Sequence, residues 1–463
     1  MPKDSFDVVV IGSGTGGYSA ALRAAQLGLG VTLVERDERL GGTCLLRGCI
    51  PTKALLQSGA VLDEINRAEE WGVKASGEPD WDGVLKFKAR VVDKLVTGLT
   101  GLVKARKVEV VKGTGKLVSP TKVEVTTNGK ARAIEARNVV VATGSYPKLL
   151  PGMEIGEHVI TSDQALELDR IPASAVVIGA GAVGLEFASL YRSFGAEVTL
   201  IEALPNLAPL EDEGISKELG RTFRKRGIAS HAGAKVQDVT ETAKGVKVTF
   251  ETSGKSQTVA ADICLVAVGR GPISDGVGLE AIGVEVERGF VKVDSRLQTN
   301  VPGVWAIGDV AATPFQLAHV SMAEGIAVAE RIAGQDAAEI DYVGVPRVTY
   351  CSPEISSVGL TEAQAKERGH DVLVEKFSFQ GLGKANIIGE GGTCKIVAEK
   401  DGPVLGIHLI GPHVTDLIAE GMLITNWEAT PAEVAALIHP HPSLSEAMGE
   451  AHLALAGKPL HSA

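Results

Sequence analysis

Apolar and polar positions follow an order near the N-terminus that is repeated later in the chain. Residues 6–12, FDVVVIG, form a short apolar run ending in glycine, and residues 18–30 are rich in helix formers. A second apolar run, VTLVERD, follows at 31–37. Such runs, separated by a glycine turn and a helix-forming segment, predict a strand–helix–strand unit. Residues 175–203 repeat this order, so the sequence predicts two such units.

The pattern between and after these units is typical of antiparallel sheets. Residues 108–141 and 234–268 alternate apolar and polar positions, which predicts a β meander in each. Another predicted strand ends at Gly308 and Asp309, and a predicted helix follows it. From about Tyr342, strand-like and helix-like segments are mixed, as in an α+β domain.

The predicted fold class is therefore α/β, with two Rossmann-like dinucleotide-binding domains and a C-terminal α+β domain. A chain of 463 residues is long enough for about three domains. A central segment lies between the second unit and the C-terminal domain. The predicted domain boundaries are 1–149, 150–271, 272–341 and 342–463.

Each predicted unit has a G-x-G-x-x-G motif where its first strand meets its helix. In this motif the first glycine allows a tight turn, the second lets the backbone approach a pyrophosphate, and the third lets the helix pack on the strand. An acid at the end of the second strand, Glu35 or Glu202, can accept hydrogen bonds from a ribose. A lone motif could be a glycine-rich turn, but this context predicts two nucleotide sites. The glycines are Gly12, Gly14, Gly17, Gly179, Gly181 and Gly184.

The acid of the second unit also predicts which nicotinamide cofactor binds. Glu202 would bond the 2′-hydroxyl of NAD and repel the 2′-phosphate of NADP, which usually needs an arginine. The prediction is therefore NAD. Two nucleotide sites in one chain imply a second electron carrier, and a flavin is the natural one.

The composition indicates which classes of partner are unfavoured and which cellular compartment is favoured. The net charge of -11 argues against nucleic acid and anionic membranes as partners. The sequence has no apolar run of membrane-spanning length and no signal-peptide pattern at its N-terminus. Five cysteines in so long a chain do not make a disulfide scaffold. They favour a reducing cytoplasm, where a disulfide is typically transient and catalytic.

Two of the cysteines, Cys44 and Cys49, lie close together in GGTCLLRGCIPTKALL. Their spacing is not the two-residue gap of a zinc knuckle or of a thioredoxin motif. A close cysteine pair beside a flavin could accept two electrons and return them. Cys49 precedes helix formers, and a helix N-terminus stabilises a thiolate. The alternative is a pair of small hydrophobic residues that only pack.

A second candidate for chemistry is HPHPSLSEAMGEA, near the C-terminus. His441 and Glu446 could form an imidazole–carboxylate pair that acts as a general base near neutral pH. The alternative, compatible with the first, is a helix start at which Ser443 caps and Glu446 completes a capping box. Pro442 favours a cis bond before it. His439 is a weaker candidate, suited to packing.

Together these segments resemble the flavin-dependent pyridine nucleotide-disulfide oxidoreductases. GGTCLLRGCIPTKALL resembles their redox-active disulfide segment, and HPHPSLSEAMGEA resembles their base motif. VVVATGS, VPGVWAIGDV and LAHVSMAEG are similar to further signatures of the FAD domain. The resemblance covers nearly the whole chain and implies oxidation of protein-bound dihydrolipoyl groups with reduction of NAD. The alternatives are a glutathione-type or mycothione-type reductase, and a diaphorase or transhydrogenase.

The resemblance implies roles for individual residues. Cys44 would be the interchange thiol, and Cys49 would sit against the flavin as the charge-transfer thiolate. Lys53 would approach the flavin and pair with Glu186. From the residues alone, Lys53 could instead be an exposed helix residue and Glu186 a solvated one, although the apolar neighbours of Glu186 favour burial with a partner.

The resemblance also implies an assembly. His441, oriented by Glu446, would belong to the neighbouring subunit's site in a homodimer. The C-terminal domain would form the dimer interface, and residues 1–149, 150–271 and 272–341 would be the FAD, NAD and central domains. The implied partner is a lipoylated acyltransferase or a glycine-cleavage carrier protein, with no metal, nucleic acid or membrane.

The cofactor contacts complete the predicted site. Besides the glycines and acids above, the predicted FAD contacts are Thr43, Lys53, Gly115, Thr143, Gly144, Ser145, Asp309, Leu317, Ala318 and His319. The further NAD contacts are Val183, Val268 and Gly269.

Overall fold

The computed structural model describes residues 4–461, so the first three and the last two residues lie outside it. The α-helices in that range are α1 (Thr15–Gln26), α2 (Gly42–Arg47), α3 (Cys49–Arg67), α4 (Trp81–Ala105), α5 (Ser162–Ala165), α6 (Ala182–Ser193), α7 (Glu213–Lys225), α8 (Ala318–Ile332), α9 (Glu362–Glu367), α10 (Gly383–Ile388), α11 (Val414–Asn426), α12 (Pro431–Ala435) and α13 (Glu446–Leu455). In this part of the chain, no helix combines the length and the apolar character needed to span a membrane.

The strands of the first part of the chain are β1 (Ser5–Ile11), β2 (Val31–Glu35), β3 (Glu109–Lys112), β4 (Thr114–Ser119), β5 (Lys122–Thr127), β6 (Lys130–Val141), β7 (Ser145–Pro147), β8 (Val159–Ile160), β9 (Ser174–Ile178), β10 (Glu197–Ile201), β11 (Ile228–His231) and β12 (Lys235–Thr242). Those of the second part are β13 (Gly245–Thr252), β14 (Lys255–Ala261), β15 (Ile263–Val266), β16 (Arg270–Pro272), β17 (Val286–Glu287), β18 (Phe290–Val291), β19 (Val304–Ala306), β20 (Arg347–Thr349), β21 (Glu354–Gly359), β22 (Val372–Ser378), β23 (Thr393–Glu399) and β24 (Val404–Gly411).

The chain divides into two compact bodies, each built from three segments. The described residues of the first body lie up to residue 54, at 83–148 and at 270–342. Those of the second body lie at 55–82, at 149–269 and from 343 onward. The division of the sequence into four consecutive domains stays a prediction.

The first body contains the first predicted nucleotide-binding fold. Its sheet has the strand order β3-β2-β1-β6-β5-β4, and β19 pairs with β6. Strands β1, β2, β6 and β19 are parallel neighbours, and their apolar runs are buried as expected for a sheet covered on both faces. Helices α1 and α8 pack closely, because a Cβ on Gly325 would lie 2.4 Å from the carbonyl oxygen of Gly16.

The first predicted meander is confirmed in its later part. Strands β4, β5 and β6 pair antiparallel in sequence order. Strand β3 pairs parallel with β2 and so extends the parallel part of the sheet. Alternation of apolar residues does not distinguish these directions, because both kinds of strand place successive side chains on opposite faces.

The second body repeats the plan and adds the C-terminal sheet. Strands β11, β10, β9, β15 and β8 form a parallel sheet. The second meander, predicted for 234–268, is confirmed in β12, β13 and β14 and wrong in its last strand, because β15 pairs parallel with β8 and β9. The C-terminal sheet is antiparallel, with the order β20-β21-β24-β23-β22. Its core includes buried side chains from α11 and α13. The predicted α+β character of this domain is confirmed, although β22 was not anticipated.

Helix α4 was also not predicted from the sequence. Val92, Val96 and Val103 recur at helical spacing and are buried, while most residues between them are exposed. Val92 and Val96 pack on Leu45 of the cysteine segment. Helix α4 therefore buries one narrow apolar stripe and leaves its opposite face in solvent.

Candidate active site

The two glycine motifs fold into matching loops. Gly12 and Gly179 have φ angles of +103° and +105°, a conformation that L side chains rarely adopt. A Cβ on Gly12 would lie 2.3 Å from the oxygen of Ala142, and one on Gly179 would lie 2.4 Å from that of Ala267. Glycine is therefore required at the tight turn of each loop, as predicted.

The other glycines of the motifs divide into a packed and an open pair. A Cβ on Gly17 would lie 1.9 Å from the oxygen of Gly12, and one on Gly184 would lie 1.8 Å from that of Gly179. A Cβ on Gly14 or Gly181 would meet nothing within 4 Å. The loop backbone is thus open directly before α1 and α6, where helix N–H groups attract a phosphate.

The acids predicted to bind ribose also brace the loops. Glu35 accepts hydrogen bonds from the N–H of Ser13 at 2.7 Å, and Glu202 accepts one from the N–H of Ala180 at 2.6 Å. Each acid also accepts a bond of 2.8 Å from the backbone N–H two residues beyond it. These hydrogen bonds to the loops were not predicted. A signal was present in the sequence, because Glu35 follows Gly12 at the same distance in sequence as Glu202 follows Gly179. Ribose binding stays a prediction.

We expect Gly17→Ala and Gly184→Ala to have separate effects because each closes one loop. Gly17→Ala should give protein without flavin, since the added methyl cannot fit against Gly12. Gly184→Ala should retain flavin absorbance and weaken NAD binding at least about tenfold. Flavin absorbance of the purified proteins and titration with NAD measure these effects. Loss of flavin from the Gly184 variant alone would contradict the assignment of the two loops.

A polar cluster brings together predicted FAD contacts that are far apart in sequence. The hydroxyl of Ser145 donates to the carboxylate of Asp309 at 2.5 Å, and Thr143 donates to the carbonyl of Ile273. Gly144 lies between Thr143 and Ser145 in sequence, and a Cβ at this position would meet nothing within 4 Å. Arg270 was not predicted as a site residue, yet its Nε donates to the Ser145 hydroxyl at 2.6 Å.

The turn that carries Asp309 is held by a buried carboxylate that the sequence reading missed. Glu324 is fully buried and accepts hydrogen bonds from the N–H of Gly308 at 2.6 Å and from the Tyr342 hydroxyl at 2.9 Å. Burial raises the pKa of Glu324, against the effect of these bonds. The predicted contacts at 317–319 lie at the start of the same helix, α8, which begins at residue 318.

The cysteine segment lies against the first glycine loop. A Cβ on Gly42 would lie 2.5 Å from the Cα of Gly14, so only glycine fits there. The N–H of Gly41 donates to the carbonyl of Ser13 at 3.1 Å. Thr43, a predicted FAD contact, is the next residue of this segment. Gly115 lies elsewhere on the same sheet, over the side chains of Ile11 and Val34.

Cys44 and Cys49 are present as thiols that interact with each other. Cys49 is the first residue of α3, at a helix start as the sequence predicted, whereas Cys44 lies in α2, a helix that was not predicted. The hydrogen bond with Cys49, burial and the charge of Cys49 raise the pKa of Cys44, whereas Lys53 lowers it. The Cys44 thiol is therefore harder to ionise beside Cys49 than a free cysteine is.

Tyr18 is a neighbour of this pair that was not predicted. Burial, and then the charges of Cys44 and Cys49, raise the pKa of Tyr18 to about 12. Tyr18 directly follows Gly17, the last glycine of the first loop. Its phenol therefore lies near both this loop and the cysteine pair.

Glu186 is buried, as the sequence favoured. It lies in α6 and accepts a hydrogen bond of 3.0 Å from the backbone N–H of Tyr350, in the C-terminal part of the same body. Lys53 belongs to the first body. The pairing of Lys53 with Glu186 stays a prediction.

His441 and Glu446 form the predicted imidazole–carboxylate pair, with Nδ1 and Oε1 2.8 Å apart. The His441 side chain is 75% exposed. Partial burial would raise the pKa of Glu446, but hydrogen bonds from the Ser443 N–H and from His441 hold it below its usual value. The predicted capping box is absent here, because α13 begins at Glu446 itself with Ser445 before it. The bond before Pro442 is cis.

His439 packs in the domain, as expected for the weaker candidate. Its Nε2 lies 2.7 Å from a carboxylate oxygen of Glu420, and this contact raises the pKa of His439. The ring also lies against Gly449, where a Cβ would come within 2.7 Å of Nδ1.

The remaining predicted NAD contacts surround the second loop. Val183 lies in the first turn of α6. Val268 follows β15, and its backbone nitrogen is 3.2 Å from the position of a Cβ on Gly179. Gly269, the next residue, has a φ angle of +110° and open space at its Cα.

Family models match almost the whole chain. A pyridine nucleotide-disulphide oxidoreductase model matches residues 6–325, and the dimerisation-domain model of the same family matches residues 345–452. The chain belongs to the pyridine nucleotide-disulphide oxidoreductases, which confirms the resemblance and the predicted fold class. The family uses FAD and NAD.

Individual members of this family are similar to the chain over nearly its full length. The chain is 44% identical to a dihydrolipoyl dehydrogenase of Bacillus subtilis, over 98% of this chain and 99% of that protein. Two solved structures are similar over nearly their full length. LpdA from Mycobacterium tuberculosis has a TM-score of 0.89 at 27% identity, covering 97% of this chain and 99% of that one. The flavoprotein disulfide reductase RclA from Escherichia coli has a TM-score of 0.87 at 26% identity, covering 98% of this chain and 100% of that one.

The described residues fit both cofactors. Each glycine loop requires glycine where a side chain would clash and leaves the next glycine open toward a helix N-terminus. The first loop also lies against the cysteine segment, so a flavin held there would be close to the two thiols. Among the described residues, no cysteine segment packs on the second loop. This loop therefore suits the nicotinamide cofactor.

Proposed function

We propose that this chain oxidises protein-bound dihydrolipoyl groups to lipoyl groups and reduces NAD to NADH. The observation that carries the proposal is the contact of Gly42 with Gly14, two residues before a cysteine that hydrogen-bonds to Cys49. This contact couples a dithiol to a nucleotide loop. The Bacillus subtilis relative at 44% identity is a dihydrolipoyl dehydrogenase, which supports the same substrate class here.

The proposed chemistry begins with thiol–disulfide exchange. In the oxidised enzyme Cys44 and Cys49 form a disulfide, and a substrate thiolate attacks the Cys44 sulfur and displaces Cys49 as a thiolate. His441 takes the proton of the attacking thiol, and Glu446 stabilises the resulting imidazolium. The second substrate sulfur then displaces Cys44, which closes the lipoyl disulfide and leaves the enzyme dithiol. Bound FAD would supply the redox chemistry that links this dithiol to NAD.

We also propose that the chain works as a homodimer in a reducing cytoplasm. The dimerisation-domain match and the large apolar side chains exposed at positions 423–438 of the C-terminal domain support the dimer. Ile438 is 99% exposed and Trp427 75%, and Leu423 and Leu437 are also exposed. His441 lies in the same region and would complete the partner's site. The partner in catalysis would be a lipoylated acyltransferase or a glycine-cleavage carrier protein.

The activity is tested with the flavin-loaded enzyme. Dihydrolipoamide with NAD should give NADH, and NADP should be used much less well because of Glu202. Reduction of glutathione disulfide or mycothione disulfide by NADPH in place of this reaction would contradict the proposal. Exchange between nicotinamides without any reaction of the dithiol would identify a transhydrogenase or diaphorase.

Mixed dimers test whether the site is shared between subunits. Cys49→Ser and His441→Gln chains should each be inactive, because each lacks one reacting group. Mixing them after dissociation should restore activity, since one of the two sites in a heterodimer would then combine an intact cysteine pair with an intact His441. Mixtures that stay inactive, although heterodimers are detected by mass, would contradict a shared site.

A further inference from the structure

We propose that the exposed face of α4 is the docking surface for the acidic protein domain that presents the dihydrolipoyl group. This inference rests on the proposed function and adds where its carrier binds. Lys86, Arg90 and Lys94 recur every fourth residue and are exposed, so they form one row of about 12 Å along the helix. With Ala89, Asp93 and Thr97 they line a shallow surface groove.

The charge of this helix is opposite to that of the whole chain. Residues 81–105 contain five basic and two acidic residues, a net charge of +3, so the rest of the chain carries -14 and the total is -11. One of the two acids, Asp93, is paired with Arg39 at 2.6 Å. An acidic domain is repelled by most of the surface and attracted to α4, which orients its approach.

The opposite face of the helix packs on the redox segment. Val92 and Val96 form one buried cluster with Leu45, and Leu46 and Ile50 pack against that cluster. These last three residues flank Cys44 and Cys49 in sequence. A domain on the outer face of α4 would therefore lie about one helix diameter, roughly 10–12 Å, from the segment that must receive its dithiol.

Two exposed leucines lie on a different side of the helix from the row of cations. Leu95 and Leu102 are 43% and 45% exposed and lie seven residues apart, so they occupy the same side of the helix two turns apart. The row itself is therefore recognised by charge. A nucleic acid or a membrane would meet the acidic remainder of the chain around this short row.

A second basic helix provides a matched control. In α7, Lys217, Arg221 and Lys225 have the same spacing and are exposed. The buried side chains of this helix, among them Leu219 and Phe223, belong to the second nucleotide-binding fold. Reversal of these three charges changes the net charge equally without touching the helix that packs on the cysteine segment.

The test compares two substrates with two triple variants of the flavin-loaded enzyme. The substrates are free dihydrolipoamide and the reduced, isolated lipoyl domain of an acyltransferase with an acidic surface. Lys86→Glu, Arg90→Glu and Lys94→Glu combined should lower kcat/KM for the lipoyl domain at least about tenfold at low salt. The difference should shrink as salt rises, and kcat/KM for free dihydrolipoamide should stay within about twofold of that of the unaltered enzyme.

The controls make each outcome decisive. The α7 triple variant should keep both activities, and the corresponding glutamine variant of α4 should show a smaller loss in the same direction. Unchanged turnover of the lipoyl domain by the α4 variants, equal loss with the α7 variant, or equal loss with free dihydrolipoamide would overturn the proposal. Failure of the unaltered enzyme to oxidise free dihydrolipoamide would instead contradict the proposed function itself.

Discussion

Replacement of Cys49 by serine is expected to lower turnover of dihydrolipoamide with NAD at least about a thousandfold. Serine keeps the size of the side chain, so α3 can still begin at this residue. It removes the sulfur that leaves as a thiolate when the disulfide opens. Cys44→Ser should cause a comparable loss, because each sulfur is useless without the other. The double variant should be scarcely worse than either single one, since the two sulfurs act as a unit.

Two controls separate lost chemistry from lost structure. Both variants should retain bound flavin, because the contact between Gly42 and Gly14 is made by backbone. They should also still reduce an artificial acceptor with NADH, a reaction that needs the two nucleotides and no dithiol. Cys264→Ser, at a buried cysteine in the sheet of the second body, should keep dihydrolipoamide turnover within about tenfold. Turnover of dihydrolipoamide by the Cys49 variant at a tenth or more of the normal rate would rule out the proposed exchange.

His441→Gln is expected to lower kcat for dihydrolipoamide oxidation by about 10²–10⁴-fold, the usual contribution of a positioned general base. Glu446→Gln should have a smaller effect on kcat. The reason is that the carboxylate of Glu446, which its hydrogen bonds hold ionised, lies 2.8 Å from Nδ1 of His441 and orients the ring. The glutamine amide keeps the size of the side chain and loses the charge.

A matched histidine tests whether this effect is specific. His370 also hydrogen-bonds a carboxylate, that of Glu399, through Nδ1 in the C-terminal domain. His370→Gln should leave kcat unchanged. An unchanged kcat in His441→Gln, or an equal loss in His370→Gln, would remove His441 from the role of base.

The sequence predicted those features whose signal is local. Each glycine loop depends on residues within a short stretch, and steric exclusion at Gly12 and Gly179 leaves glycine as the residue that fits. The His441–Glu446 contact spans five residues, so spacing alone could predict it. The start of α13 was placed too early, because Ser443 and Glu446 match a capping box in spacing while the chain does not become helical until Glu446.

Other features depend on contacts that no local pattern encodes. Glu324 is sixteen residues from Gly308, and its burial against that turn follows from the packing of α8 on α1. Arg270 reaches Ser145 across 125 residues, through the pairing of β16 with β7. Helix α4 had a readable signal, since Val92, Val96 and Val103 recur at helical spacing.

Thiol labelling of the cysteine segment before and after reduction tests the central claim most directly. The oxidised enzyme is treated with one equivalent of dihydrolipoamide without NAD and without oxygen, then alkylated in denaturant, and the peptide containing residues 41–56 is weighed. Two added alkyl groups after reduction, and none before it, are expected if Cys44 and Cys49 pass between disulfide and dithiol during the reaction. The same labelling of this peptide before and after reduction would contradict the account.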